Sequence, residues 1–210
     1  MRLLMIDLDN TLVDRDAAFR AAASAFLAEH RLPAGDLDWL LTVDASGHTP
    51  RREVATALSE RYGGIDARDF LDRGAAGRVT LSDPVRETLV AALADGWSCV
   101  IVTNGRTVQQ ETKIRNTGLD RLVNGWVISE AVGHRKPSPE IFHAAATVAD
   151  APLDGSWMIG DSAAADIRGA QGVGARSVWV SAGRPWTERD YQPTLTSPDT
   201  ASAIRRATSA

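Results

Sequence analysis

Two kinds of hydrophobic pattern run through this chain, and their order constrains the fold more than any other feature. Short apolar runs closed by small or polar residues occur at 2–6, 98–102, 126–128, 157–159 and 177–180. Runs of that length, with so few polar positions, predict strands buried on both faces. Each later run is preceded by a segment with apolar residues at helical spacing: one from Ser82 to Gly96, then 107–116, 138–148 and 162–171. Between the first run and the second the rhythm breaks. Residues 14–81 carry no strand signal and instead predict helices at 14–30, 37–43, 50–62 and 66–74, punctuated by Pro33, Gly35, Gly63 and Gly64. Strands alternating with helices imply a parallel sheet covered on both faces. The expected architecture is α/β: a Rossmann-like three-layer core from residues 1–13 and 82–210, with an all-helical cap inserted at 14–81. Residues 184–198 read as a surface loop, and 200–207 as a short last helix.

Composition narrows the function classes. The chain has 210 residues, a net charge of -4 and one cysteine, Cys99. That charge offers no basic footprint for nucleic acid. A lone cysteine rules out an internal disulfide framework and a Cys-rich metal site, and Cys99 reads as a small buried apolar residue. No apolar stretch approaches the roughly 20 residues that span a bilayer, and the start lacks the pattern of a secretory signal. The expectation is a cytoplasmic protein, monomer or homodimer, without a membrane or nucleic-acid partner.

Chemistry concentrates where the strands end. The first is followed by Asp7-Leu8-Asp9-Asn10-Thr11, the second by Thr103-Asn104-Gly105, and the third leads to Lys136-Pro137. The fourth ends in Gly160-Asp161-Ser162, with Asp166 five residues beyond Asp161. In a parallel sheet all of these lie at one edge, where open α/β sheets bind ligands. Two aspartates two residues apart at a buried strand end repel each other and are costly to desolvate, unless a cation or a shared task compensates. Hard oxygen ligands without His or Cys select magnesium or calcium. A lysine, a hydroxyl and free backbone amides suit a phosphate dianion. The constellation reads as a magnesium-assisted phosphoryl site.

These four motifs, in this order, resemble those of the haloacid dehalogenase superfamily, and the helical block resembles the cap that its phosphatase branch inserts after the first strand. The resemblance implies an aspartyl-phosphate mechanism acting on a small-molecule phosphate ester. Asp7 would be the nucleophile and Asp9 the general acid and base. Thr103 and the Asn104 amide would hold the phosphoryl oxygens, and Lys136 would offset negative charge. Magnesium would be held by Asp7, Asp161 and the Asp9 carbonyl, with Asp166 ligating through water or orienting Lys136. The loop 44–52 supplies His48 and Arg51 as candidate contacts to the leaving group. Other branches differ in what they need. A dehalogenase has no use for an acid at Asp9 or for magnesium. A phosphosugar mutase shares all four motifs and needs a cap that holds a second phosphate, for which Arg15, Arg20, Arg51 and Arg52 are the basic residues available. A non-catalytic phosphate-binding module would typically have lost the nucleophile, and Asp7 is present. A response-regulator receiver would carry its acceptor on a middle strand rather than the first.

Overall fold

A computed structural model describes residues 2–210. They divide into two compact units, one of residues 2–13 and 81–210, the other of residues 14–80.

The first unit is built on a six-stranded sheet. Its strands are β1 (Arg2–Ile6), β2 (Trp97–Thr103), β3 (Gly125–Ile128), β4 (Trp157–Gly160), β5 (Arg176–Val180) and β6 (Leu195–Ser197). The order is β3-β2-β1-β4-β5-β6, and every pairing is parallel. Parallel strands need crossover connections, and helices supply them. Leu3 and Met5 face a core with Val100, Val102, Val127, Met158, Ile141 and Phe142. Leu4 and Ile6, which alternate with them, are equally buried. Burial of both faces explains why the strands read as continuous apolar runs. Cys99 lies inside β2, where burial pushes its thiol up to about 12 and leaves it inert.

The helices are numbered along the chain. Those of the second unit are α1 (Arg15–Glu29), α2 (Leu37–Asp44), α3 (Arg51–Tyr62) and α4 (Arg68–Arg73). The first unit adds α5 (Asp83–Ala94), α6 (Thr107–Asn116), α7 (Ser129–Val132), α8 (Pro139–Ala149), α9 (Arg168–Gly172) and α10 (Thr200–Thr208). Helix α8 packs on β2 and β3 and touches α9, whereas α5 and α10 pack on each other, on β2 and on β4–β5 respectively. Asp14 caps α1 through Ala17 N (2.8 Å), and Asp199 caps α10 through Ser202 N (2.8 Å). Pro84 and Pro139 stand in the first turns of α5 and α8, where their missing N–H costs nothing.

Three expectations are corrected. Residues 184–198, read as loop, contain β6, which pairs with the edge of β5; Ser197 is fully buried and its carbonyl accepts from Ser181 N at 2.8 Å. Three residues, one apolar and two polar, carry no legible period, so tertiary pairing alone makes this strand. The expected helix at 162–171 opens as a π-helical turn, Ala163–Ile167, before α9 begins. The link from β3 to Lys136 holds the short helix α7 instead of a plain connection.

Helices α1 and α2 of the second unit pack on each other, as do α3 and α4. Phe26 stacks on Phe70 at 4.6 Å, and Trp39 meets Tyr62 edge-on at 6.0 Å. No helix among the described residues is long and apolar enough to cross a membrane.

Candidate active site

The strand order reverses direction at β1, between β2 and β4. Ligands of open α/β sheets bind in the crevice beyond the carboxyl ends at such a point. Asp7 follows β1 there, with its N–H still in the ladder to Ile159 O (2.9 Å), and Asp161 follows β4. After Asp7 the backbone turns sharply: Val13 N and Thr11 N both reach Leu8 O, and Asn10 takes the left-handed conformation that Asn tolerates. Thr200 at the start of α10 secures the turn by donating its hydroxyl to Thr11 O (2.6 Å).

At the centre is Lys136. Its side chain is 2% exposed, and its ammonium reaches Asp7 Oδ1 (2.6 Å), Asp166 Oδ1 (2.7 Å) and Val102 O (2.6 Å). A buried ammonium needs such partners, because desolvation is severe. Burial alone would pull Lys136 down, but Asp166 and Asp7 outweigh it and carry it up to about 12. Asn104 clamps its backbone from both sides, donating to Lys136 O (3.0 Å) and accepting from Lys136 N (2.8 Å). Asp166 is fully buried, accepts from Ser162 N (3.0 Å), and lies so close to Gly160 that a Cβ there would sit 2.1 Å from its Oδ2. That contact requires glycine at the end of β4.

Carboxylate oxygens of Asp7, Asp161 and Asp166 lie within 4.8 Å of one another. Burial raises Asp7, Lys136 lowers it in part, and the neighbouring carboxylates add to the rise, which carries it up to about 8. Asp161 rises to about 6, through burial and then Asp166, with Arg184 opposing. Three carboxylates crowd around one buried ammonium, and Asp7 and Asp161 hold their protons above the ordinary carboxylate range because burial and mutual repulsion outweigh Lys136 and Arg184. A divalent cation with oxygen preference fits this donor set, and magnesium takes such carboxylates readily.

The strand-end residues predicted from sequence are therefore gathered in one place. Thr103 is buried at the end of β2. Asp9 stands apart from the three-carboxylate cluster: both of its oxygens accept from Lys113 Nζ at 2.7 Å, and Oδ2 also accepts from Gln110 Nε2 at 3.1 Å. His48 and Arg51 lie in the helical unit. His48 is exposed and donates Nδ1–H to Ala45 O (2.8 Å), and Arg51 opens α3. Arg15 is buried in that unit against Asp44, and Arg20 stands 3.7 Å from Asp38.

Three site residues have no strand-end motif to announce them. Lys113 and Gln110 lie three apart on one face of α6. Arg184 reaches back from beyond β5 to Asp161 O (3.0 Å) and Oδ2 (3.2 Å). Polar residues on a polar helix look like a solvated face. Nothing local in the sequence sets Gln110 and Lys113 apart from such a face.

Known proteins carry the same plan. Glyceraldehyde 3-phosphate phosphatase of Pyrococcus furiosus is 33% identical over 107 residues, covering 51% of this chain and 44% of the relative. The chain thus spans less than half the length of the first curated relatives it matches. Phosphoserine phosphatase of Thermus thermophilus is 25% identical, over 93% of this chain and 94% of its own. The crystal structure of the HAD-hydrolase YfnB from Bacillus subtilis, bound to magnesium, superposes with a TM-score of 0.76 at 25% identity, covering 98% of each chain. A family model described as haloacid dehalogenase-like hydrolase matches residues 1–174, which contain Asp7, Thr103, Lys136, Asp161 and Asp166. By that match, and by the motif order that the fold brings to one sheet edge, this chain belongs to the haloacid dehalogenase-like hydrolase family.

Proposed function

We propose that this hydrolase is a magnesium-dependent phosphatase that cleaves small phosphorylated metabolites through an aspartyl-phosphate on Asp7. The observation that carries the reading is the gathering of Asp7, Asp161 and Asp166 around buried Lys136 at the switch point. Relatives named as phosphatases support it.

Asp7, Asp161 and the Asp9 carbonyl would hold magnesium, with Asp166 behind them. The ion supplies charge neutralisation for the three carboxylates and the phosphoryl oxygens. The chain's own residues do the rest. An Asp7 carboxylate oxygen forms a bond to phosphorus as the ester P–O bond breaks, and Asp9 delivers a proton to the departing oxygen. A water oxygen then bonds to phosphorus, the Asp7–phosphorus bond breaks, and the water's proton passes to Asp9. Lys136 spreads the negative charge of Asp7 and the phosphoryl group. Thr103 donates its hydroxyl to a phosphoryl oxygen. Little else is needed, because phosphoryl transfer depends mainly on positioning and charge. The helical unit would act as a cap that reads the leaving group and excludes water, with His48 and Arg51 as its candidate contacts.

The test is phosphate release from a panel of metabolite monoesters and p-nitrophenyl phosphate. Release with magnesium and its loss with EDTA are expected. Asp7→Asn should lower turnover by more than roughly 10⁴-fold while the circular dichroism spectrum stays native. Wild-type protein inactive on the whole panel would overturn the reading in favour of a binding module.

A further inference from the structure

Lys113 is buried on α6, and a buried lysine is expensive unless a partner repays its desolvation. Its ammonium meets both oxygens of Asp9 at 2.7 Å. A purely packing role would favour an apolar side chain of similar length. The pair also sits inside a larger unit. Gln110 Nε2 lies 2.7 Å from Thr103 Oγ1, 3.1 Å from Asp9 Oδ2 and 3.4 Å from Asn104 O. A carboxylate and a carbonyl only accept, so the nitrogen of the Gln110 amide must face them. Thr103 Oγ1 then accepts from Gln110, which leaves its own proton free to be donated elsewhere. Gly105 keeps Gln110 in place, since a Cβ at that glycine would press on Gln110 at 3.0 Å.

We propose that Lys113 is a positioning residue for the acid–base step, holding the Asp9 carboxylate at the leaving-group side of the site and, through Gln110, in fixed register with the Thr103 hydroxyl. The inference rests on the phosphatase reading above. Lys113 keeps Asp9 out of the Asp7–Asp161–Asp166 cluster, so that one acidic residue remains for proton transfer while the others hold charge. An ammonium has three protons and engages both oxygens while leaving other lone pairs of Asp9 open. Asp9 is the group that touches the reacting atoms, and Lys113 acts through it.

The leaving group provides the readout. A departing p-nitrophenolate needs little help from an acid, and a more basic phenolate needs much. Lys113→Met should therefore lower kcat/KM, which reports the step that expels the phenolate, by roughly 10²-fold on p-methoxyphenyl phosphate and by roughly 10-fold or less on p-nitrophenyl phosphate. Lys113→Arg should recover part of the loss. Asp9→Asn and the double variant Asp9→Asn/Lys113→Met should agree within about twofold on both esters, because the lysine has nothing left to position. The double variant also removes both charges together, so the comparison stands even where Lys113→Met alone fails to fold. Equal losses on the two esters, or a further tenfold loss in the double variant, would overturn the positioning role while leaving the phosphatase reading intact. Wild-type protein that turns over neither ester would overturn that reading and this inference with it.

Discussion

The two units each bury charge, and they do so on opposite balances. In the helical unit Arg15 and Asp44 are a buried, bidentate pair, with the half-exposed Asp16 3.2 Å from Arg15 Nη1. Two guanidinium nitrogens engage the two carboxylate oxygens, with Nη2 to Oδ1 at 2.6 Å, and Gly47 N completes Asp44 at 2.9 Å. Both oxygens of Asp44 are engaged, and the left-handed Gly47 packs directly against the guanidinium. In the sheet unit three carboxylates crowd around one buried ammonium, and burial carries Asp7 and Asp161 above the ordinary carboxylate range. A closed pair stabilises a fold. A cluster left with surplus negative charge is poised for a cation and for chemistry. The difference lies in the charge count, since both are buried and both contain an Asp against a basic residue.

The largest expected contrast comes from breaking each cluster. Lys136→Met should cost roughly 10²–10³-fold in kcat, and about 3–5 kcal/mol of stability without metal, read from denaturant unfolding. Asp44→Ala should also cost about 3–5 kcal/mol, because it strands a buried guanidinium. Magnesium should restore much of the first loss and none of the second. Magnesium rescue of Asp44→Ala would erase the distinction.

Next in size is a pH effect confined to the sheet unit. Asp7 and Asp161 rise from an ordinary 3.8 to about 8 and about 6. Between those limits the folded, metal-free chain retains protons that the unfolded chain has released. Its stability should therefore fall as pH rises from about 4 to about 8. Magnesium should reverse the slope, since the ion takes the place of those protons. Unfolding curves with EDTA and with magnesium across that range check both signs. A metal-free stability that climbs toward pH 8 would contradict the surplus-charge account.

The smallest effect is at Arg184, whose half-exposed guanidinium touches Asp161. Exposed pairs are worth about 1 kcal/mol or less. Arg184→Gln should tighten magnesium binding by no more than about fivefold, measured by calorimetry, because it removes a competing cation from one carboxylate.

The same contrast explains what could be read from sequence. The runs around Leu3–Ile6 and Cys99–Val102 announced a sheet buried on both faces, and Asp7, Thr103 and Asp161 stood out because they break those runs. Residues 14–81 lacked any period of two, so the helical block was legible as a block. Strand β6 was not, because Leu195, Thr196 and Ser197 gain their structure from β5 alone. Lys113 and Gln110 were also hidden. Their partners Asp9 and Thr103 lie on different elements, and nothing local in Thr-Val-Gln-Gln-Glu-Thr-Lys marks Gln109, Gln110 and Lys113 as buried. Asp44 resembled a loop residue until its partner 29 positions away was known.

Magnesium titration of the intact chain at pH 7.5 by calorimetry, beside Asp161→Asn and Asp44→Asn, is the most direct measurement. The account predicts one site in the wild type, abolished in Asp161→Asn and unchanged in Asp44→Asn. Absence of magnesium binding in the wild type, or binding that survives Asp161→Asn undiminished, would contradict it.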